Sequence, residues 1–282
     1  MKSVVITGVS TGIGRSMVGC FIRAGYTVFG NIRNPEIGQQ LLQEYGSTFV
    51  PLVFDVTDEQ AIQQAANLVA EKLQGHTLNL LINNAGIVVN GPLLTVSSME
   101  FSRQLDVNLM GPWLMAKAFA SLLGTDRRLK GGPGRIINIG SISGVFSIPF
   151  MGPYNASKYG LEAFNDTLRR ELRPYGIAVS IVAPGPVQTP IMDKAINRTT
   201  IIAADYEVPW SIYAKISAET RAIAMSPDRI SECVLKVVNQ RSPRTRTIVV
   251  PKGFGPFMLF RVLPALPARI ADMLIGKMFK LA

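Results

Sequence analysis

The sequence predicts an α/β fold, a doubly wound parallel sheet of about seven strands with helices on both faces, and three observations predict it. Short β-branched runs alternate with longer segments of helical period along most of the 282 residues, the rhythm of parallel strands joined by crossover helices. Apolar residues make up 48% of the chain, enough to bury a substantial core. No internal repeat, low-complexity tract or long linker interrupts the rhythm, so residues 1–282 are expected to form a single domain.

The first strand is expected at Val4 to Thr7. After it Ile13, Met17, Phe21 and Ala24 recur every three or four residues, one face of an amphipathic helix, and Gly25 closes the segment as a helix-terminating glycine does. The following strands are read at Val28 to Ile32, Phe49 to Asp55 and Leu78 to Asn83. The glycine–proline cluster Gly131 to Gly134 marks a surface turn before the next, Arg135 to Gly140. Leu161, Phe164, Leu168 and Leu172 then repeat at helical spacing until Pro174, followed by strands at Ala178 to Ala183 and Thr247 to Val250. Two regions break the pattern, residues 190–226, a lid candidate, and the apolar, basic extension 252–282.

Composition narrows the chemistry. The apolar run Val4 to Ile6 stands so close to the first residue that no secretory leader is expected ahead of it, and Cys20 and Cys233 are too far apart for metal-ligand spacing. A reducing cytoplasmic setting, no disulfide framework and no metal site are therefore expected. The one histidine, His76, lies in a polar segment and reads as a surface loop residue, so the chemistry must proceed without histidine. A net charge of +10 favours anionic partners, yet no basic run with interleaved aromatics points to nucleic acid. The charge reads instead as a solubilising surface or as help for a phosphorylated cofactor.

Residues 7 to 14 read TGVSTGIG between the first strand and its helix. Gly8, Gly12 and Gly14 permit a tight turn and close approach of backbone to a pyrophosphate, with Ser10, Thr11 and Ile13 at the opening of a helix whose free N–H groups favour anions. Strand before and helix after are the context of a dinucleotide-binding, Rossmann-type turn, although the spacing is G-x-x-x-G-x-G. No carboxylate ends the second strand, as it would to bind a free ribose 2′-hydroxyl; Asn31, Ile32 and Arg33 stand there instead. A guanidinium at that place suits the 2′-phosphate, so NADP(H) is expected over NAD(H).

Residues 154 to 158 read YNASK, placing Tyr154 and Lys158 at i and i+4 on one helix face. A neighbouring ammonium stabilises a phenolate and lowers the phenol pKa, which makes the pair a usable proton relay. The same chain holds NNAG at 83 to 86, Asn108 in LDVNLMG, GSISG at 140 to 144 and PGPVQT at 184 to 189, at strand ends or adjoining helices. An open parallel sheet binds its ligand there.

In that order these motifs resemble the short-chain dehydrogenase/reductase family, closely from residue 1 to about 190 and most like its steroid and retinol dehydrogenase branch. The resemblance implies that Ser141 hydrogen-bonds the substrate oxygen and that Tyr154 protonates the alkoxide or deprotonates the alcohol. Lys158 would also hold the nicotinamide ribose, and Asn108 would anchor a water linking Lys158 to solvent. It further implies adenine contacts from Asp55 and Val56, a pocket wall of Asn84, Ala85 and Gly86 beside the ribose, and a PG motif, Pro184 and Gly185, leading to a carboxamide clamp of Val187 and Thr189. Ser143 reads either as a substrate contact or as a loop residue satisfying local backbone. Members of this family suggest a homodimer or homotetramer through helices near Leu105 to Ala120 and Tyr154 to Leu172.

Substrate choice falls where the resemblance fades. Val145, Phe146, Ile148, Pro149, Phe150 and Met151 between Ser141 and Tyr154 favour a bulky lipophilic alcohol or carbonyl substrate. Tyr206, Trp210 and Tyr213 read equally as an apolar lid over that ligand or as packing of the lid onto the body. In the extension, Ile270, Met273, Leu274, Met278 and Leu281 fall on one side of a segment that is too interrupted to span a bilayer. It could make peripheral membrane contact, cover the substrate mouth or pack on another subunit. The alternatives to an enzyme are a redox sensor that binds NADP without turnover and a membrane-surface scaffold of the same fold.

Overall fold

A computed structural model describes residues 2–191, 204–253, 262 and 265–281. Seven strands form one sheet: β1 (Lys2–Ile6), β2 (Tyr26–Ile32), β3 (Phe49–Val53), β4 (Leu80–Asn83), β5 (Arg135–Ile139), β6 (Ala178–Pro184) and β7 (Arg246–Val249). Their order is β3-β2-β1-β4-β5-β6-β7 and every neighbouring pair is parallel. All seven expected strands are present. Their ends differ by a residue or two, because a ladder stops where the backbone turns away and not where the apolar run stops.

Strand alternation distributes the core. Val4, Ile6, Leu80, Ile82, Ile137 and Ile139 pack on one face with Met17, Val18 and Phe21 of α1 (Gly12–Arg23). Val5, Leu81 and Ile136 point the other way, onto Ile62 and Val69 of α3 (Glu59–Leu73) and Met115 and Phe119 of α5 (Gly111–Phe119). Both faces being covered explains why these strands read as continuous apolar runs. Between them in the chain lie α2 (Pro35–Tyr45) and α4 (Ser98–Leu105), started by side-chain caps from Asn34 and Ser97. The connections diverge between β1 and β4, which opens a crevice at the carboxyl ends of the central strands.

Beyond β5 the chain enters α6 (Gly152–Glu171), then α7 (Glu207–Ala222), α8 (Pro227–Asn239) and, in the extension, α9 (Ala268–Phe279). A third cluster, smaller than the two sheet faces, gathers around Phe150. Its ring meets Trp210 at 5.4 Å, Tyr213 at 5.7 Å, Tyr206 at 6.0 Å and Phe279 at 6.4 Å between centroids. Of the two readings of the lid aromatics, packing of the lid onto the body is the one observed. Residues 192–203 of the lid region and 254–261 and 263–264 of the extension lie outside the described residues.

Candidate active site

The glycine turn is built as a cradle with no room for side chains. Gly8 and Gly12 have φ of +70° and +58°. A Cβ on Gly14 would stand 2.0 Å from the Gly8 carbonyl oxygen, so only glycine lets α1 begin against the turn. Thr11 is the N-cap of α1, and its side chain makes no capping bond. The opening amides of α1 thus have no side-chain acceptor there, with the Ser10 and Thr11 hydroxyls alongside. Ile13 is half-buried against the apolar core. The cradle and its donors suit a pyrophosphate, and hence a dinucleotide cofactor.

Neighbouring strands hold this turn in place. Thr7 Oγ1 accepts hydrogen bonds from the Asn84 and Ala85 backbone amides at 2.9 and 3.0 Å, and Asn84 Nδ2 donates to the carbonyls of Thr7 and Gly8 at 2.8 and 3.1 Å. The Gly8 amide donates to Asn31 Oδ1 at 3.1 Å. The Thr189 methyl lies against Gly12, reaching the turn from the end of β6 past Pro184 and Gly185, whose amide donates to the Val249 carbonyl at 2.8 Å, and Val187 is buried in the core. At the end of β2, Arg33 is exposed with Nη1 3.8 Å from Asp55 Oδ2. Asp55 Oδ1 accepts from the Thr57 amide and hydroxyl, and Val56 is buried against Gly111.

The proposed catalytic residues converge on the mouth of the same crevice. Ser141 follows β5 and is the N-cap of a short 3-10 turn, where its Oγ accepts from the Ser143 amide at 3.1 Å. The Ser141 hydroxyl also stands near enough to the Tyr154 phenol to favour its ionised form. Ser143 is buried, and its backbone amide is the donor to Ser141 Oγ. Lys158 is buried, donates from Nζ to the Ile139 carbonyl at 2.9 Å, and lies 5.7 Å from the centre of the Tyr154 ring. Gly86 faces Asn108 Oδ1 across ordinary contact distance.

Asn108 sits in a π-helical turn, Asp106–Met110, which Gly111 separates from Pro112. Proline has no N–H, so the Asn108 carbonyl cannot receive the ordinary α-helical bond from residue 112. The side-chain amide, by contrast, is fully engaged, with Oδ1 accepting from the Ile87 amide at 2.9 Å and Nδ2 donating to Ile87 O and Ser157 Oγ.

The electrostatics correct one expectation. Burial pushes the Tyr154 phenol above its ordinary value, and the nearby Ser141 hydroxyl opposes the rise. Burial pulls Lys158 from 10.5 down to about 8, with the Glu162 carboxylate opposing. The phenol acidified by its ammonium neighbour, inferred from the i, i+4 spacing, is therefore not a property of the protein alone. Both groups lose water, and loss of water favours the neutral form of each.

Several supporting residues escaped the sequence reading. Asn83 Nδ2 donates to Asn138 Oδ1 at 2.9 Å and Asn138 Nδ2 to Asn165 Oδ1 at 3.0 Å, a buried amide chain tying β4 and β5 to α6. Glu162, one helical turn beyond Lys158, pairs with Arg246 of β7 at 2.6 Å. Polar residues inside an otherwise apolar strand, as in IINI, were the available signal; the Glu162–Arg246 pair, 84 residues apart, had none.

A family model described as short chain dehydrogenase matches residues 2–200. The chain is 32% identical over 281 residues to an NADPH-dependent 3-dehydrocapnine reductase of Ornithobacterium rhinotracheale, covering 99% of this chain and 98% of that protein. It is 32% identical over 283 residues to human retinol dehydrogenase 5, covering 95% and 86%. A crystal structure of a short-chain dehydrogenase from Streptomyces avermitilis superposes with a TM-score of 0.78 at 24% identity, over 100% of this chain and 98% of the other.

Proposed function

The chain belongs to the short-chain dehydrogenase family and is an oxidoreductase of that family, and from this premise we propose that it moves a hydride between NADP(H) and the carbon of a lipophilic secondary alcohol, ketone or aldehyde, with Tyr154 as general acid and base. The observation that carries the reading is the gathering of buried Ser141 and buried Lys158 with Tyr154, Lys158 Nζ lying 5.7 Å from the Tyr154 ring centre, at strand ends shared with the glycine cradle.

The nicotinamide, when bound, supplies or accepts the hydride. Ser141 Oγ holds the substrate oxygen. In reduction, the Tyr154 hydroxyl gives its proton to that oxygen as negative charge develops there; in oxidation it takes the proton back. Lys158 steadies the phenolate and holds the nicotinamide ribose, and a water on the Asn108 carbonyl returns the proton from solvent. Asn84, Ala85 and Gly86 line the ribose side, Val187 and Thr189 clamp the carboxamide, and Asp55 and Val56 flank the adenine. The exposed Arg33 guanidinium reads the 2′-phosphate, and the NADPH in one relative's name agrees with that preference. Retinol, in the name of another, is itself a lipophilic alcohol. Residues 1–282 work as one catalytic domain, with 190–226 as its lid. Exposed Met110, Trp113 and Tyr159, near and on α5 and α6, suit a homo-oligomeric contact.

Replacing Tyr154 with Phe tests the assignment. NADPH consumption is expected to fall by roughly 10²–10⁴, while NADPH binding, followed by its fluorescence, stays near wild type. Undiminished turnover in Tyr154→Phe would remove Tyr154 from the chemistry.

A further inference from the structure

We propose that the outer face of α9, with Leu93 and Leu94, docks the protein on an anionic lipid bilayer and turns the mouth of the site toward it. Only the significance of that mouth rests on the function proposed above; the docking surface itself is argued from packing and charge.

Ala271, Ile275 and Phe279, at i, i+4 and i+8, turn α9 inward, and Ile275 and Phe279 join the Phe150 cluster. Ile270, Met273, Leu274 and Met278, and Leu281 just beyond the helix, remain exposed, Met273 at 51%. The outward side of a helix on a water-soluble surface is ordinarily polar, so five large apolar side chains there require an apolar partner.

A second apolar patch lies beside the same hub. Leu93 and Leu94 are 56% and 90% exposed in the loop after β4. That loop is tied to the hub by the Gly91 amide, which donates to the Phe150 carbonyl at 2.8 Å. The Leu93 side chain also packs on Gly152, two residues before Tyr154. Both patches therefore border the turn that leads into the catalytic helix.

Charge selects the occupant. Arg269, Lys277 and Lys280 stand on or at the end of α9 against one acid, Asp272, and no ion pair engages the three cations among the described residues. In a two-fold dimer through this face the cations would meet their own copies and repel, whereas anionic headgroups would neutralise them. Lysines beside an exposed apolar stripe can lay their stems along it and keep their ammonium groups at headgroup level. No described helix is long and apolar enough to cross a membrane, so α9 lies in the interface plane.

The test is flotation of the full chain with phosphatidylcholine vesicles, with and without phosphatidylglycerol, beside Met273→Gln/Leu274→Gln/Met278→Gln and Leu94→Ser variants. We expect flotation only with phosphatidylglycerol, weakened by salt and reduced about tenfold or more in the triple variant. Thermal stability and NADPH consumption with a small water-soluble ketone should be unchanged, since all four side chains are exposed. Equal flotation with neutral vesicles, or an unaltered triple variant, overturns the proposal. So does a wild-type dimer that the triple variant splits in light scattering, which would make this face a subunit contact. Vesicle binding without any turnover would sink the enzymatic reading and leave the docking surface standing.

Discussion

Lys158 loses the hydration of its ammonium on burial and recovers the Ile139 carbonyl, the Tyr154 ring and the field of Glu162. Its pKa, about 8 in the folded protein, is near 10.5 when the chain unfolds. Between those values the unfolded state binds more protons, so this lysine makes stability rise with pH, and the contribution is lost as pH falls through 8. Denaturant titrations from pH 7 to 11 should show wild type gaining about 3 kcal/mol over Lys158→Met across that window; parallel pH dependences would mean that Lys158 is not desolvated. Arg33 poses the opposite case. Its pairing with Asp55 at 3.8 Å is exposed and worth little, so the guanidinium is available to a phosphate. Arg33→Asp should lower the NADPH-over-NADH preference in kcat/KM by roughly tenfold or more, the scale of one charge-assisted hydrogen bond; an unchanged ratio would show that Arg33 does not read the phosphate.

Among elements, the strand–turn–helix at residues 2–23 is the least tolerant of change. A methyl at Gly14 would collide with the Gly8 carbonyl, which is backbone and cannot swing aside. Gly14→Ala should lower the melting temperature and weaken NADPH binding by at least about tenfold, since turn and helix must separate; wild-type fluorescence titrations would show that the cradle is not the binding surface. This element was legible in the sequence because its reasons are local: glycines, an apolar run and a helical period lie within some twenty residues. Local logic also located the helix carrying Tyr154 and Lys158. It gave the wrong sign for the phenol, because i, i+4 spacing brings two groups together without saying how much water each has lost. The π turn at Asn108 had a local signal too, Pro112 four residues on, but its meaning depends on the α-helical bond to the Asn108 carbonyl that the proline cannot make.

For the whole molecule, what the sequence withheld is what joins distant parts. Glu162 and Arg246 meet across 84 residues, and Ser16 of α1 reaches Asp228 of α8 across 212. Side chains from residues 148–151, 206–216 and 275–279 form one cluster although no period links them. Periodicity could say that Ile270, Met273, Leu274 and Met278 share a side; only the packing of Ile275 and Phe279 says which side is turned away. Phe150 itself has φ of +66°, a left-handed torsion that costs a side-chain-bearing residue about 1–3 kcal/mol. Four aromatic rings from two distant segments hold it there. The bend before Tyr154 is thus a sprung joint with the last helix as its clasp, so a distant helix helps set how the chain enters the segment that carries Tyr154 and Lys158.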